Sequence, residues 1–159
     1  QCPLGQDCLA NQRGSQKQRP LHKARRALPE RRYVAALIED SGRILLVRRI
    51  PRGLLGGLWE LPGDKLQADE DEQSGLRRIL LTDLAATVLI GTQCASVRHR
   101  YSHFAELLNV YRCTIQGTLI ARHQWDSFVW CPLENWGQYP QSRITIKALE
   151  EAGATVEVA

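Results

Sequence analysis

Residues 97–108 read VRHRYSHFAELL, and the side chains gathered there suit a nucleobase edge and its backbone. Tyr101 offers a flat stacking face, Ser102 a hydroxyl that donates and accepts, and His103 two ring nitrogens. Arg98, His99 and Arg100 can approach phosphates. The same spacing fits an ordinary loop between strands, with the tyrosine packed inward and the histidine exposed. A second stretch, ELPGDKLQADEDEQSGLRRILLTDLA at residues 60–85, carries Asp64, Glu70 and Asp83 along a turn and a helix-like segment. Carboxylates sharing one helix face can hold Mg²⁺, which takes oxygen ligands in octahedral array and bridges them to phosphate. The acidic run Asp69–Glu72 fits a solvated turn and helix start, where the macrodipole favours negative charge.

Charge is unevenly distributed. Residues 11–32 hold eight basic groups, Lys23, Arg25 and Arg26 among them, against the single acid Glu30, so this segment carries +7 within a net charge of +4. A basic, Pro-containing linker joined to a mildly acidic remainder suits a polyanion such as nucleic acid, and equally a solvated connector. Five cysteines at irregular spacing do not form the framework of a small secreted protein and fit a reducing cytosol. Cys94, Cys113 and Cys131 lie in strand-like, apolar surroundings and are expected in the core, whereas Cys2 and Cys8 sit in a short polar segment.

The elements that must position these groups are legible from periodicity. A chain of 159 residues, 43% hydrophobic and 24% charged, supports one domain, with no apolar run long enough to span a membrane. The chain contains no Met, so it reads as a piece of a longer protein. YVAALIE and RILLVRR flank the turn DSG as a hairpin, and GLWELPG is a Gly-rich loop entering a short strand. Leu76, Ile79, Leu80, Asp83 and Leu84 follow helical spacing. ATVLI, QCASVRHRY and FAELLNVYRCTI read as three further strands, FVWCPLENW as a strand turning into a short helix, and SRITIKALEEAG as a final helix closed by Gly153. The predicted organisation is a stub at 1–10, a linker at 11–30 and a domain at 31–155. Its class is α+β, an α/β/α sandwich on a mixed sheet.

LLVRRI, GLWELPG, the acidic turn and the Arg-bearing helix stand in the order found in Nudix hydrolases, and the chain resembles that family. The family's box reads G-x5-E-x7-R-E-U-x-E-E-x-G-U, with U a bulky apolar residue. By this resemblance Glu70 and Arg78 match the first Glu and the Arg. Asp64 replaces the first Gly, Ile79 the Glu after Arg, Thr82 and Asp83 the paired Glu, and Ala85 the closing Gly. With Ile79 and Thr82 in place of ligands, no Mg²⁺-dependent site is expected. Separately, QCPLGQDCLA resembles the end of the iron–sulfur loop of endonuclease III-like glycosylases, Cys2 and Cys8 having its final x5 spacing. Four thiolates are needed for a 4Fe–4S cluster, so these two would serve only in an intact parent.

Together these features resemble the C-terminal part of the MutY-type adenine DNA glycosylases. That resemblance implies a lesion-recognition domain of base excision repair, with Tyr101, Ser102 and His103 checking 8-oxoguanine opposite adenine in double-stranded DNA. Arg98, His99, Arg100, Lys23, Arg25 and Arg26 would contact phosphate. It also implies an N-terminal glycosylase domain as partner, repair or replication proteins docking on the linker, a monomer, and a place in the bacterial cytoplasm near the nucleoid. No catalytic residue is expected in this chain. The alternatives are a stand-alone nucleotide pyrophosphohydrolase with a degenerate box, using Asp64, Glu70 and Asp83, and a protein-interaction module.

Overall fold

A computed structural model describes residues 3, 6–16 and 28–154. Cys2, Lys23, Arg25 and Arg26 lie outside the described residues, together with the cluster and phosphate roles expected of them. A single helical turn, α1 (Leu9–Gln12), follows Cys8 where no regular structure was expected.

The continuous apolar run Val34–Ile38 explains the architecture, because a strand with no polar side chain must be covered on both faces. It lies in β1 (Glu30–Asp40), at the centre of a mixed sheet. Val34, Ala36 and Ile38 join the core on one face, while Ala35 and Leu37 join the core on the other. Ser41 and Gly42, both at positive φ, turn the chain into β2 (Arg43–Arg49). Then come β3 (Trp59–Glu60), β4 (Gly63–Lys65), α2 (Glu72–Leu84), β5 (Thr87–Arg100), β6 (Ala105–Gln116), β7 (Trp125–Pro132), a 3-10 turn at Leu133–Gln138 and α3 (Arg143–Glu151).

The strands run in the order β3-β2-β1-β6-β5, with β4 added to β1 and β7 to β2. β6 lies parallel to β1, Arg31 opposite Glu106, and the other pairs are antiparallel. Helix α2 buries Leu76, Ile79, Leu80 and Leu84 on one face of the sheet, and α3 buries Ile144, Ala148 and Leu149 on the other. The α+β sandwich on a mixed sheet is therefore present as expected. One correction concerns ATVLI and QCASVRHRY, which are not two strands. They form the single strand β5, irregular in register between Ile90 and Ala95, because β6 is long enough to pair with both halves.

Both helices begin on a side-chain cap. Asp71 accepts from the Ser74 amide at 3.0 Å, and Ser142 caps α3 through the Thr145 amide. Gly63 has no room for a side chain, since a Cβ there would strike the Val34 carbonyl oxygen and come within 2.6 Å of Ala35 Cα. That close approach seats β4 against β1 and sets the walls of the cavity described next.

Candidate functional site

Alternation on two parallel neighbours creates the site. Arg31, Tyr33 and Ala35 of β1 and Glu106 and Leu108 of β6 point to the same face, and with β4, the loop after β2 and the start of α3 they enclose a cavity of about 370 Å³. The β5–β6 turn forms one wall. The Tyr101 amide donates to the Phe104 carbonyl at 2.9 Å, and the two rings stack with centroids 4.7 Å apart. Arg31 lies over the Phe104 ring at 4.1 Å, a cation–π contact, and His99 meets Tyr101 edge-on at 4.6 Å.

Three carboxylates, Glu60, Asp64 and Glu106, line this cavity. Glu60 accepts from Arg49 Nε at 2.7 Å through Oε2 and from Trp125 Nε1 at 3.0 Å through Oε1. Burial nevertheless pushes its carboxyl above the usual range. Glu106 is also pushed up by burial, opposed by a hydrogen bond from the Tyr101 hydroxyl and by the charges of Arg49 and Arg31. Tyr101 in turn is held at about 12, by burial and then by the Glu106 charge.

The helix that resembles the metal box has other engagements. Arg78 binds Glu70 through two hydrogen bonds, and the Gln67 amide adds a third at 2.9 Å. These contacts, Arg78 foremost, lower the Glu70 carboxyl to about 2. Asp83 is buried and accepts from Gln124 at 2.8 Å, burial pushing its carboxyl up. Ile79 is 1% exposed in the core, and Thr82 faces solvent. Positions 79 and 83 are therefore turned to the core, and position 82 is not. Asp64 and Asp83 act with Glu70 on the single guanidinium of Arg78. With Ile79 and Thr82 at ligand positions of the box pattern and both Glu70 oxygens bonded to Arg78, the side chains of this helix are not the donor set of a family-type Mg²⁺ site.

Of the residues predicted for recognition, the structure brings only Tyr101 to the cavity. Ser102 and His103 stand exposed at the tip of the turn. Arg98 points outward and pairs with Glu30 at 2.6 Å, and Arg100 is exposed. Cys113 and Cys131 are buried free thiols, Cys94 is half-buried, and Cys8 is a free thiol at the start of α1. Arg31, Glu60, Phe104 and Glu106 were not singled out. A lone Glu within FAELLNV, one residue into an apolar strand, was the available signal for the last.

The family described as NUDIX domain matches residues 33–151. CTP pyrophosphohydrolase of Escherichia coli (strain K12) is 36% identical over 118 residues, covering 74% of this chain and 87% of that protein. The solution structure of the E. coli ORF135 protein superposes with a TM-score of 0.71 at 34% identity, covering 80% of this chain and 91% of that one. The MutT protein from Methanosarcina mazei Go1 superposes at 0.72 and 22% identity over 79% and 94% of the two chains, a likeness of fold.

These similarities correct the reading as a MutY-type domain. They run to Nudix hydrolases and a nucleotide pyrophosphohydrolase, and they give no support to a DNA-repair role, a glycosylase partner domain, an 8-oxoguanine:adenine duplex, docked repair proteins or an iron–sulfur loop. The exposed setting of Ser102 and His103 shows why the turn misled: only its aromatic members face an enclosed space. Among the described residues no helix is long and apolar enough to cross a membrane, and nothing supports association with a nucleoid. Of the sequence-based alternatives, the comparisons favour the nucleotide pyrophosphohydrolase with a degenerate box. From its sheet to its box helix, the chain belongs to the Nudix domain family.

Proposed function

We propose that this chain acts on nucleotides, as a Nudix domain of the pyrophosphohydrolase type that seats a nucleoside phosphate in the cavity between β1, β4 and β6. The observation that carries this reading is the placing of a half-buried carboxylate, Glu106, and an aromatic wall, Tyr101 and Phe104, in one enclosed space. A base needs both a surface to lie against and a polar group to orient it. Arg31 and Arg52 line the same space and supply positive charge for phosphate oxygens. The 36% identity with CTP pyrophosphohydrolase supports a nucleoside triphosphate as ligand class.

Because the box helix lacks the paired carboxylates, binding is the step this geometry supports. Arg31→Ala should weaken CTP binding about tenfold in isothermal titration calorimetry while the protein remains folded by circular dichroism. Undiminished affinity would place the phosphates elsewhere. A second reading, residual pyrophosphohydrolysis using Asp64, Glu70 and Asp83, is favoured by their convergence on Arg78. Pyrophosphate release from CTP with Mg²⁺, abolished by Glu70→Gln, would establish it in place of binding alone.

A further inference from the structure

Three carboxylates line the cavity, and they differ in what their oxygens are free to do. Both oxygens of Glu60 are committed, one to Arg49 and one to Trp125. Asp64 sits beside the box helix, where its charge acts on Arg78. Glu106 is the exception. Among the described residues no Lys or Arg forms an ion pair with it, and the side-chain donor acting on it is the Tyr101 hydroxyl beside it in the cavity wall. A carboxylate offers about four lone-pair positions, so one hydroxyl leaves acceptor capacity pointing into the cavity.

The surroundings fix that capacity in place. Glu106 lies in the ladder between Arg31 of β1 and His99 of β5. Tyr101 is itself held by its stack on Phe104 and its edge contact with His99. The acceptor is therefore positioned by packed rings beside the wall on which a base would lie. A partly desolvated carboxylate in such a place needs an N–H donor from its ligand, and it repels a carbonyl oxygen.

We infer that Glu106 is the base-reading residue and accepts the exocyclic amine of cytosine, so that the cavity takes cytidine nucleotides in preference to uridine nucleotides. This rests on the nucleotide reading above and adds the base to it. Cytosine presents an amine where uracil presents a carbonyl, and the two are otherwise close in shape. With uracil, two sets of lone pairs would face each other and Glu106 would lose its donor. A site built around such a bond rejects the ligand lacking the donor, here by roughly tenfold to hundredfold.

The test is calorimetric titration of the full chain with CTP and with UTP, both in EDTA. The wild type should bind CTP at least tenfold more tightly. Glu106→Gln keeps the shape and adds an amide donor suited to the uracil carbonyl, and it should bring the two affinities to within about threefold. An unchanged preference in this variant, shown folded by circular dichroism, would overturn the assignment. If Glu106→Gln does not fold, Tyr101→Phe keeps the ring and removes the hydroxyl that orients Glu106. It should reduce the preference severalfold, and a preference left intact would count against the assignment. Equal binding of CTP and UTP by the wild type sinks the base assignment alone, whereas binding of neither overturns the nucleotide reading and this inference with it.

Discussion

Arg78 donates to both oxygens of Glu70, Nε to Oε1 at 2.7 Å and the terminal nitrogen to Oε2 at 2.8 Å, and so closes the turn before α2 onto the helix it precedes. The Glu70 carboxyl is lowered from 4.5 to about 2, with the Arg78 hydrogen bonds the largest cause. A depressed carboxyl contributes stability that is fully present above its unfolded pKa and is lost as pH falls through the folded one. Thermal melting followed from pH 6 down to pH 2 should therefore show the wild type losing stability relative to Glu70→Gln between about 4.5 and 2. Parallel curves would show that the pair contributes nothing measurable.

Ala85 closes α2 in the left-handed region, at φ 54°, a conformation that costs a residue with a Cβ and does not cost glycine. The box pattern places a Gly at this position. Ala85→Gly should raise stability by about 0.5–1 kcal/mol in urea denaturation, because relief of strain exceeds the extra unfolded-state entropy. A loss of stability would mean that the Ala85 methyl group makes contacts worth more than the strain.

Glu72 links α2 to both central strands, accepting from Tyr111 at 2.6 Å, Asn109 at 2.9 Å and Arg32 at 3.1 Å. Tyr111→Phe removes one donor and leaves the carboxylate with two. The expected cost is about 1–2 kcal/mol in the same denaturation experiment. No change would indicate that water replaces the hydroxyl at this edge.

Ile79 occupies the place of a metal ligand and is packed in the core. Ile79→Glu would restore the box residue while burying an unpaired charge, at a cost of about 3 kcal/mol or more. Added Mg²⁺ should leave the melting temperature of the wild type unchanged. An ion bound to the folded state would raise it in proportion to its saturation.

Most of the framework was legible because its signals are local. The apolar run of β1, the Ser41–Gly42 turn and the Leu76, Leu80, Leu84 stripe each determine an element without reference to the rest of the chain. β5 was divided because Gly91 and Thr92 look like punctuation, whereas the long partner β6 carries the strand past them. The cavity was illegible for a different reason. Arg31, Glu60 and Glu106 come from three strands, and only the parallel pairing of β1 with β6 makes Arg31 and Glu106 neighbours. Local composition drew attention instead to Ser102 and His103, whose position at the tip of a turn leaves them in solvent.

If, as proposed, this Nudix domain holds a nucleotide through the side chains that line the β1–β4–β6 cavity, that binding needs no metal ion at the box helix. Calorimetric titration of the full chain with CTP, once in EDTA and once in Mg²⁺, tests it most directly. Saturable binding of one CTP per chain is expected in EDTA, with an affinity changed by no more than about threefold in Mg²⁺. Binding that appears only with Mg²⁺, or no binding under either condition, would contradict it.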